Sequence, residues 1–347
     1  MGMKKLCVED AIGQVLCHDL TRIVPGEMKG PQFRKGHIIQ EADIPMLRSM
    51  GKEHVFVWEK QAGMLHEDEA AARLAALCTN TYIRMGSVAE GKIELFAEQD
   101  GVFCADVARL NQVNGIPDII IAARHAYSPV KAGDKLGAMK VIPLVVPEET
   151  LVHAEAVAGR RPIFKLFPYI LKTAWVITTG SEVAKGLIKD SFTPVIIKKL
   201  KAYGIEVIRH VVVGDGLDAV AGVISEALEK RETREKPELI LCTGGMSVDP
   251  DDNTPGAIKQ SGAKIVTYGA PVLPGAMFLL GYYADGLPIL GLPGCVMYMQ
   301  ATIFDLVLPR IAAGIRMTKQ DFTVLGNGGL CLGCRECHYP VCPFGKV

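Results

Sequence analysis

No stretch of the chain approaches the ~18 consecutive apolar residues that a membrane span requires. The longest candidate, Cys295 to Leu308, is interrupted by Gln300 and Asp305 and reads as a buried helix. A signal-peptide core is missing too, because Lys4, Lys5, Glu9, Asp10 and Asp19 break up the start of the sequence. Excess charge is absent: Lys+Arg and Asp+Glu both number 38, so bulk electrostatics points to neither nucleic acid nor an anionic membrane as partner. Aromatic residues are scarce at 6% against 36 glycines, which favours a loop-rich α/β protein over an aromatic-cored sandwich. A secreted disulfide framework is also missing. Of ten cysteines, six are scattered and four crowd together from Cys331 to Cys342, whereas such frameworks spread their cysteines through a much smaller chain. A soluble, cytoplasmic protein is expected.

What remains is an ordinary globular composition, 49% hydrophobic and 22% charged over 347 residues. At roughly 150 residues per domain that suggests two or three domains. The expected division is 1–172, a mixed α+β region; 173–320, a doubly wound, mostly parallel α/β sheet; and 321–347, a cysteine-bearing tail. In the first region Ile12 to Thr21 reads as extended, Glu41 to Met50 as a short helix and His54 to Trp58 as a strand. Glu67 to Cys78 reads as a helix, Lys92 to Phe103 as a hairpin around Asp100-Gly101, and Ile116–Ala122 and Val141–Val146 as strands. Val130-Lys131-x-Gly133-Asp134 reads as a solvated turn linking strands.

After residue 172 strands and helices alternate, which is the pattern of a parallel sheet covered on both faces. Strands are expected at Ala174–Thr178, Ile205–Val213, Glu238–Cys242 and Pro288–Leu292. Helices are expected to start at Thr193-Pro194 and Thr254-Pro255, where a capping hydroxyl precedes proline. Leu217, Val220, Ile224 and Leu228 mark one face of a helix running to Lys230.

The chemistry is expected in the loops. Four strands run into Thr179-Gly180-Ser181, Gly214-Asp215-Gly216, Thr243-Gly244-Gly245 and Pro293-Gly294. In an open parallel sheet, ligands bind outside the carboxyl ends of the strands. Glycines there let the backbone approach, and free amides favour phosphate. Thr179, Ser181, Thr243 and Ser247 add hydroxyls. Glu182, Asp215, Asp249, Asp251 and Asp252 lie in or near the same loops, and carboxylates beside a phosphate call for a hard cation such as Mg²⁺. Any one such loop is often only a tight turn; four on one edge favour a binding crevice. Neither G-x-G-x-x-G after a strand nor a Walker A loop occurs.

At these residues a resemblance becomes specific. Thr178-Thr179-Gly180-Ser181-Glu182-Val183, Asp190-Ser191, Thr243-Gly244-Gly245-Met246-Ser247-Val248 with Asp252, Pro274-Gly275 and Leu292-Pro293-Gly294 stand in family order. Together they resemble the molybdopterin-binding domain shared by molybdopterin adenylyltransferases, molybdopterin molybdotransferases and gephyrin, over roughly 173–315. More weakly, Arg34-Lys35-Gly36 through Trp58 resembles the early segment of the molybdotransferase branch. The resemblance implies a pterin dithiolene phosphate, or its adenylate, lying along the loops. It places Gly180, Ser181, Thr243, Gly244, Gly245 and Ser247 around pterin and phosphate, with Thr179, Asp190, Ser191, Asp249, Pro274, Gly275, Pro293 and Gly294 completing the binding set. Glu182, Asp215 and Asp252 form the acidic, catalytic set. In the molybdotransferase branch, Mg²⁺-dependent cleavage of the adenylate accompanies molybdate transfer.

This sequence departs from the family in several places. Cys295-Val296 replaces Asn-Pro, Ala276-Met277 replaces Lys-Pro, and Phe192 stands where asparagine is usual. The Met-Asp-Gly-Tyr-Ala segment of the molybdotransferase branch is missing. Binding is therefore better supported than transfer. The alternatives are a molybdate-inserting enzyme, a non-catalytic carrier that delivers cofactor to a recipient molybdoenzyme, and a metal-dependent nucleotide hydrolase for which no dedicated motif exists. A homo-oligomer is compatible with all three.

Cys331-x₂-Cys334-x₂-Cys337-x₄-Cys342 reads as a metal-binding tail, since thiolates at such spacing converge on a metal. The first two gaps and the proline after Cys342 echo the bacterial iron–sulfur run, though the last gap is one residue longer. Four thiolates equally suit tetrahedral Zn²⁺, so both readings stand. The histidines, His18, His66 and His210 among them, show no paired spacing and read as surface or satisfied core residues.

Overall fold

The computed structural model describes residues 2–24, 28–59, 62–230, 233, 235–250 and 252–346. The chain forms two compact units: Met1–Gln99 with Phe103–Ala126 and Lys131–Leu166, and Asp100–Val102 with Tyr127–Val130 and Phe167–Val347.

In the first unit, strand Gly2–Cys7 pairs antiparallel with His54–Glu59. A small core of Leu16, Phe33, Ile39, Leu47, Val55 and Val57 packs beside them. The expected short helix is a 3₁₀ turn, Glu41–Asp43, continued by Ile44–Ser49. A four-stranded antiparallel sheet has the order Ile83–Met85, Lys92–Ala97, Lys135–Val141, Ile119–Ala123. Helix Glu67–Leu77 packs on it, burying Ala70, Ala71, Leu74 and Ala75. The expected hairpin over Lys92–Phe103 is not formed, because Lys92–Ala97 takes both of its neighbours from elsewhere in the chain. Ile12–Thr21 is extended only in part: isolated bridges form at Val15 and Leu16, strand Leu20–Val24 takes its last two residues, and turns and bends fill the rest. Val141–Val146 is split between the ends of two strands, Lys135–Val141 and Val145–Pro147.

The second unit is built on a six-stranded sheet. Its spatial order is Glu206–Val213, Thr173–Thr179, Leu239–Thr243, Pro288–Leu292, Leu279–Tyr282, Lys264–Tyr268. The first four run parallel and the last two antiparallel. Side chains alternate faces along a strand, so each buried strand feeds two cores. Ala174, Val176, Leu239, Leu241, Leu290 and Leu292 face one side, covered by Ile196 and Leu200 of helix Phe192–Lys201 and by helix Ile303–Ala312. Trp175, Ile177, Ile240, Cys242 and Ile289 face the other, under Val220, Ile224 and Ala227 of helix Leu217–Glu229 and Ala257 and Ile258 of helix Thr254–Gln260. The sheet is therefore doubly wound.

Two expectations need correction. The run from Cys295 to Leu308 is not one helix: a 3₁₀ turn Gly294–Met297 gives way to helix Ile303–Ala312. Asp305, which interrupts the apolar run, accepts the Thr302 amide at 2.8 Å and so starts the second helix as a capping residue. Likewise Thr193 does not cap its helix. Asp190 does, accepting the amides of Phe192 and Thr193 at 2.8 and 3.0 Å. Among the described residues no helix is long and apolar enough to cross a membrane.

Candidate functional site

Parallel registration decides what the loops can do. Thr179 pairs with Val213, Thr178 with Thr243, and Thr243 with Leu292. The four strands thus end together, and the loops starting at Gly180, Gly214, Gly244 and Pro293 line one edge of the sheet. Hydrogen bonds tie neighbouring loops. The Gly180 amide donates to Val213 O at 3.1 Å, and the Ser181 amide to Asp215 Oδ2 at 2.8 Å. Asn253 Nδ2 donates to Asp215 O at 3.0 Å, Thr179 Oγ1 to Thr243 O at 3.2 Å, and Thr254 Oγ1 to Gly244 O at 2.9 Å. Asn253 and Thr254 were invisible as site residues in the sequence, apart from the Thr254-Pro255 helix start.

The Thr-Gly-Gly turn requires glycine. Gly244 sits at φ +85°, and a Cβ there would come within 2.3 Å of the Thr179 carbonyl oxygen. Gly275, at φ +125°, lies so close to Ile303 that a Cβ would meet its Cγ2 at 2.4 Å. The Pro274 carbonyl accepts the Ile303 amide at 3.2 Å, which ties this loop to the start of the last long helix.

Beneath the edge lies a compact polar cluster. Thr178 Oγ1 is 3.1 Å from both Thr193 Oγ1 and His210 Nε2, and Thr243 Oγ1 donates to it at 3.3 Å. His210 Nε2 is 3.0 Å from Thr193 Oγ1 and 3.3 Å from Asp190 Oδ2. Burial pushes the Asp190 carboxyl up, but bonds from the Thr193 hydroxyl, the Thr193 and Phe192 amides and the nearby imidazole hold it below the ordinary aspartate value. His210 is the satisfied histidine the sequence suggested, with hydroxyl partners that spacing could not reveal.

The remaining expected residues are more dispersed. Glu182 is exposed on the short helix Ser181–Ala184. Asp252 Oδ2 accepts the Asp249 amide at 3.2 Å while its own amide donates back to Asp249 O at 2.9 Å, closing a tight turn. Ser247 is exposed, and its carbonyl accepts the Tyr268 hydroxyl at 3.3 Å. Ser191 Oγ donates to Met297 Sδ at 3.2 Å. Pro293 precedes the Gly294–Met297 turn as its N-cap. Asp251 lies outside the described residues. Among the described residues no three His, Cys, Asp or Glu side chains converge on a point that could hold a metal ion. The acidic set is therefore not gathered by the protein alone.

The four tail cysteines line one cavity of about 260 Å³, together with His338, Tyr298–Ala301 and several apolar side chains. Cys331 and Cys342 are half-buried, and Cys334 and Cys337 exposed. The first unit holds a separate polar cavity of about 260 Å³ that sequence reasoning passed over, lined in part by His18, Lys35, His66 and Glu67. There Lys35 pairs with Asp68, and burial pushes the Glu67 carboxyl up and the His18 and His66 imidazoles down.

Comparison with known proteins places these features. Residues 175–313 match a family model described as "Probable molybdopterin binding domain". Residues 5–59 match one described only as a domain of unknown function, which contains the Arg34–Trp58 stretch. The chain is 36% identical over 91 residues to a CinA-like protein of Desulfosudis oleivorans, an overlap covering 26% of this chain and 21% of that protein. It is 32% identical over 129 residues to a molybdopterin molybdenumtransferase of Staphylococcus epidermidis, covering 35% and 29%. The chain thus spans less than a third of the length of either relative. A crystal structure of CinA from Thermoplasma acidophilum aligns at 22% identity with a TM-score of 0.33, over 41% of this chain and 98% of that one. The segment 175–313 is a divergent domain of the molybdopterin-binding family. It contains all four sheet-edge loops and ends before the cysteine tail.

Proposed function

We propose that the sheet-edge crevice binds molybdopterin or its adenylate, and that the protein serves molybdenum cofactor biosynthesis. The observation that carries this reading is the alignment of four glycine-bearing loops on one edge, inside the segment that matches the molybdopterin-binding family. Amides and hydroxyls of Thr179, Gly180, Ser181, Thr243, Gly244, Gly245 and Ser247 would receive the pterin and phosphate. Asp190, Ser191, Asp249, Pro274, Gly275, Pro293 and Gly294 would shape the walls. The ligand-binding domain is 173–320, with 321–347 a metal-binding tail that takes either Zn²⁺ or an iron–sulfur cluster.

The ion that goes with such a ligand is Mg²⁺, which is commonly held by one or two carboxylates plus substrate phosphates. Asp215 and Asp252 each spend one carboxylate oxygen on a loop amide and keep a second for the ion, with Glu182 exposed nearby in sequence. When bound, the ion shields converging anionic groups and polarises the bond being cleaved. The chain's own part is to fix the loops, present amides to phosphate and hold the carboxylates in place.

Molybdate insertion and cofactor delivery to a recipient molybdoenzyme are the two activities this site supports. The carrier reading gains from Ala276 and Cys295, which stand at positions where the resembling family places lysine and asparagine. Incubating the protein with adenylated molybdopterin, Mg²⁺ and molybdate and following AMP release separates them. Release supports the transferase, and tight binding without release supports the carrier. Absence of binding would sink both.

A further inference from the structure

We propose that the polar cavity of the first unit is a binding site for a small primary amine, with the Glu67 carboxylate as counter-ion of its ammonium group. The sheet-edge crevice plays no part in it.

Glu67 is a charge placed where the fold calls for an apolar side chain. Helix Glu67–Leu77 buries Glu67, Ala70, Ala71, Leu74 and Ala75, the spacing of a single core-facing stripe, and Glu67 opens that stripe. It is only 9% exposed, and among the described residues no hydrogen bond reaches its carboxylate. Taking a carboxylate out of water without a partner is costly, so burial pushes the group up. Lys140 and Lys35 oppose that shift without pairing with it, and Asp68 and Asp19 add to it. Gly91 shows that the chain makes room for this carboxylate. That glycine sits at φ +67°, and a Cβ on it would lie 2.0 Å from Glu67 Oε2, so the carboxylate occupies the space a side chain would fill. Both residues line the cavity of about 260 Å³.

Charge decides the class of guest. The lining sets Asp19, Glu67, Asp68 and Glu90 against Arg34 and Lys35. Lys35 is already engaged: its ammonium pairs with Asp68 and stands 3.0 Å from His66 Nδ1. Arg34 is exposed to solvent. The imidazoles add no positive charge. His66 donates from Nε2 to the Cys17 carbonyl and accepts the Asp68 amide on Nδ1 at 3.1 Å, which is the neutral ring, and burial pushes both His66 and His18 down. Asp19 Oδ1 accepts the Lys35 amide and Glu90 Oε1 the Thr21 hydroxyl, each at 2.7 Å, and each carboxylate keeps a second oxygen. The cavity is therefore acidic, and its concave wall focuses that field on a cation. An ammonium group puts three N–H donors on a compact charge, enough to satisfy Glu67 and reach a further carboxylate. A volume of about 260 Å³ lies at the small end of ligand cavities, so the guest is a short molecule.

The test is calorimetric titration of the full chain with putrescine and ethanolamine, with tetramethylammonium, Mg²⁺ and inorganic phosphate as comparison ligands. At least one of the amines should bind at a single site. Glu67→Gln keeps the shape and removes the charge, so it should weaken that binding by about one to two decades. It should leave the melting temperature of the ligand-free protein unchanged or raised, because an unpaired buried charge is gone. Arg34→Ala, at an exposed position, keeps the test open should the first variant fold poorly. Removing a like charge should tighten amine binding by about two- to fivefold. A site for an anion would respond in the opposite direction. Failure of both amines to bind, equal affinity in the parent and Glu67→Gln, or weaker amine binding in Arg34→Ala would each overturn the proposal. So would tighter binding of Mg²⁺ or phosphate, or tetramethylammonium bound as tightly as the amines, since it carries the charge without N–H donors.

Discussion

The backbone amide of Ser181 donates to the carboxylate of Asp215 across 2.8 Å, so the first strand-end loop is held by a side chain from the second. The same residue's carbonyl accepts Asn253 Nδ2 at 3.0 Å, which brings in the third loop. Asp215 therefore acts as a clasp for three loops at once. A residue that spacing suggested as a metal ligand is half occupied by the fold.

Removing that clasp should be felt in stability as well as in binding. A hydrogen bond to a charged group is worth about 1.5–3 kcal/mol. Asp215→Ala is expected to lower stability by about that amount and to weaken ligand binding. Asp215→Asn, which keeps an acceptor, should recover most of the stability. Chemical denaturation of the three proteins decides it; equal losses in both variants would contradict the clasp.

Gly244→Ala tests the closest backbone approach at the edge. The new Cβ would sit 2.3 Å from the Thr179 carbonyl and adopt φ +85°. Strain and overpacking together put the loss at ~2–5 kcal/mol. Gly214→Ala is the control, since its Cβ would meet only Ser181 Oγ, at an ordinary 3.6 Å. It should change stability by less than about 0.5 kcal/mol. Thermal melting that ranks the two alike would show that the turn relaxes.

Much of the sheet domain was legible because buried parallel strands declare themselves as short apolar runs. Pro288–Leu292 falls where expected, and helix Leu217–Glu229 follows its apolar spacing. The antiparallel strands Lys264–Tyr268 and Leu279–Tyr282 were not read. The first is a short edge strand, and the second merges with neighbouring apolar residues of a Pro/Gly-rich stretch. The loops were legible through their glycines. Asn253 was not, because its role is a tertiary bond to a carbonyl 38 residues away. In the same way Thr193 looked like a cap, but its hydroxyl belongs to the polar cluster with Thr178 and His210.

Asp252→Ala separates a turn residue from a metal ligand. Losing the bond to the Asp249 amide should cost about 1 kcal/mol of stability. If Asp252 also holds Mg²⁺, the barrier to AMP release should rise by several kcal/mol more than pterin binding weakens. Rate and affinity measured on the same preparation give both quantities. An unchanged rate with a slightly lower melting temperature would leave only the turn.

Asp190 sets an expected pH dependence. Its carboxyl is held below the ordinary aspartate value despite its burial, chiefly by the Thr193 hydroxyl and the Thr193 and Phe192 amides. A depressed folded-state value means that the carboxylate contributes stability above its unfolded pKa of about 3.9. That contribution is lost as pH falls through the folded value. Asp190→Asn should therefore be less stable than the parent at neutral pH, with the difference narrowing below about pH 4. Urea melts across that range check it, and a constant difference would assign the loss to packing alone.

Ala276→Lys tests the anion-binding reading at a position where the resembling family carries lysine. Ala276 is half-buried in the turn after Pro274-Gly275, and its carbonyl accepts the Ala270 amide at 2.9 Å, a bond the substitution leaves in place. A lysine there has a flexible stem able to carry its ammonium out toward a phosphate. One charge-assisted bond is worth roughly 1.5–3 kcal/mol, or about one to two decades in affinity. Binding of the phosphorylated pterin should tighten by that factor, and the gain should shrink as salt is raised, since screening weakens exposed charge pairs. A dephosphorylated pterin should show no gain. Equal tightening for both ligands, or none for either, would mean that Ala276 does not face the anion, and the placement of the phosphate beside Pro274-Gly275 would have to be abandoned.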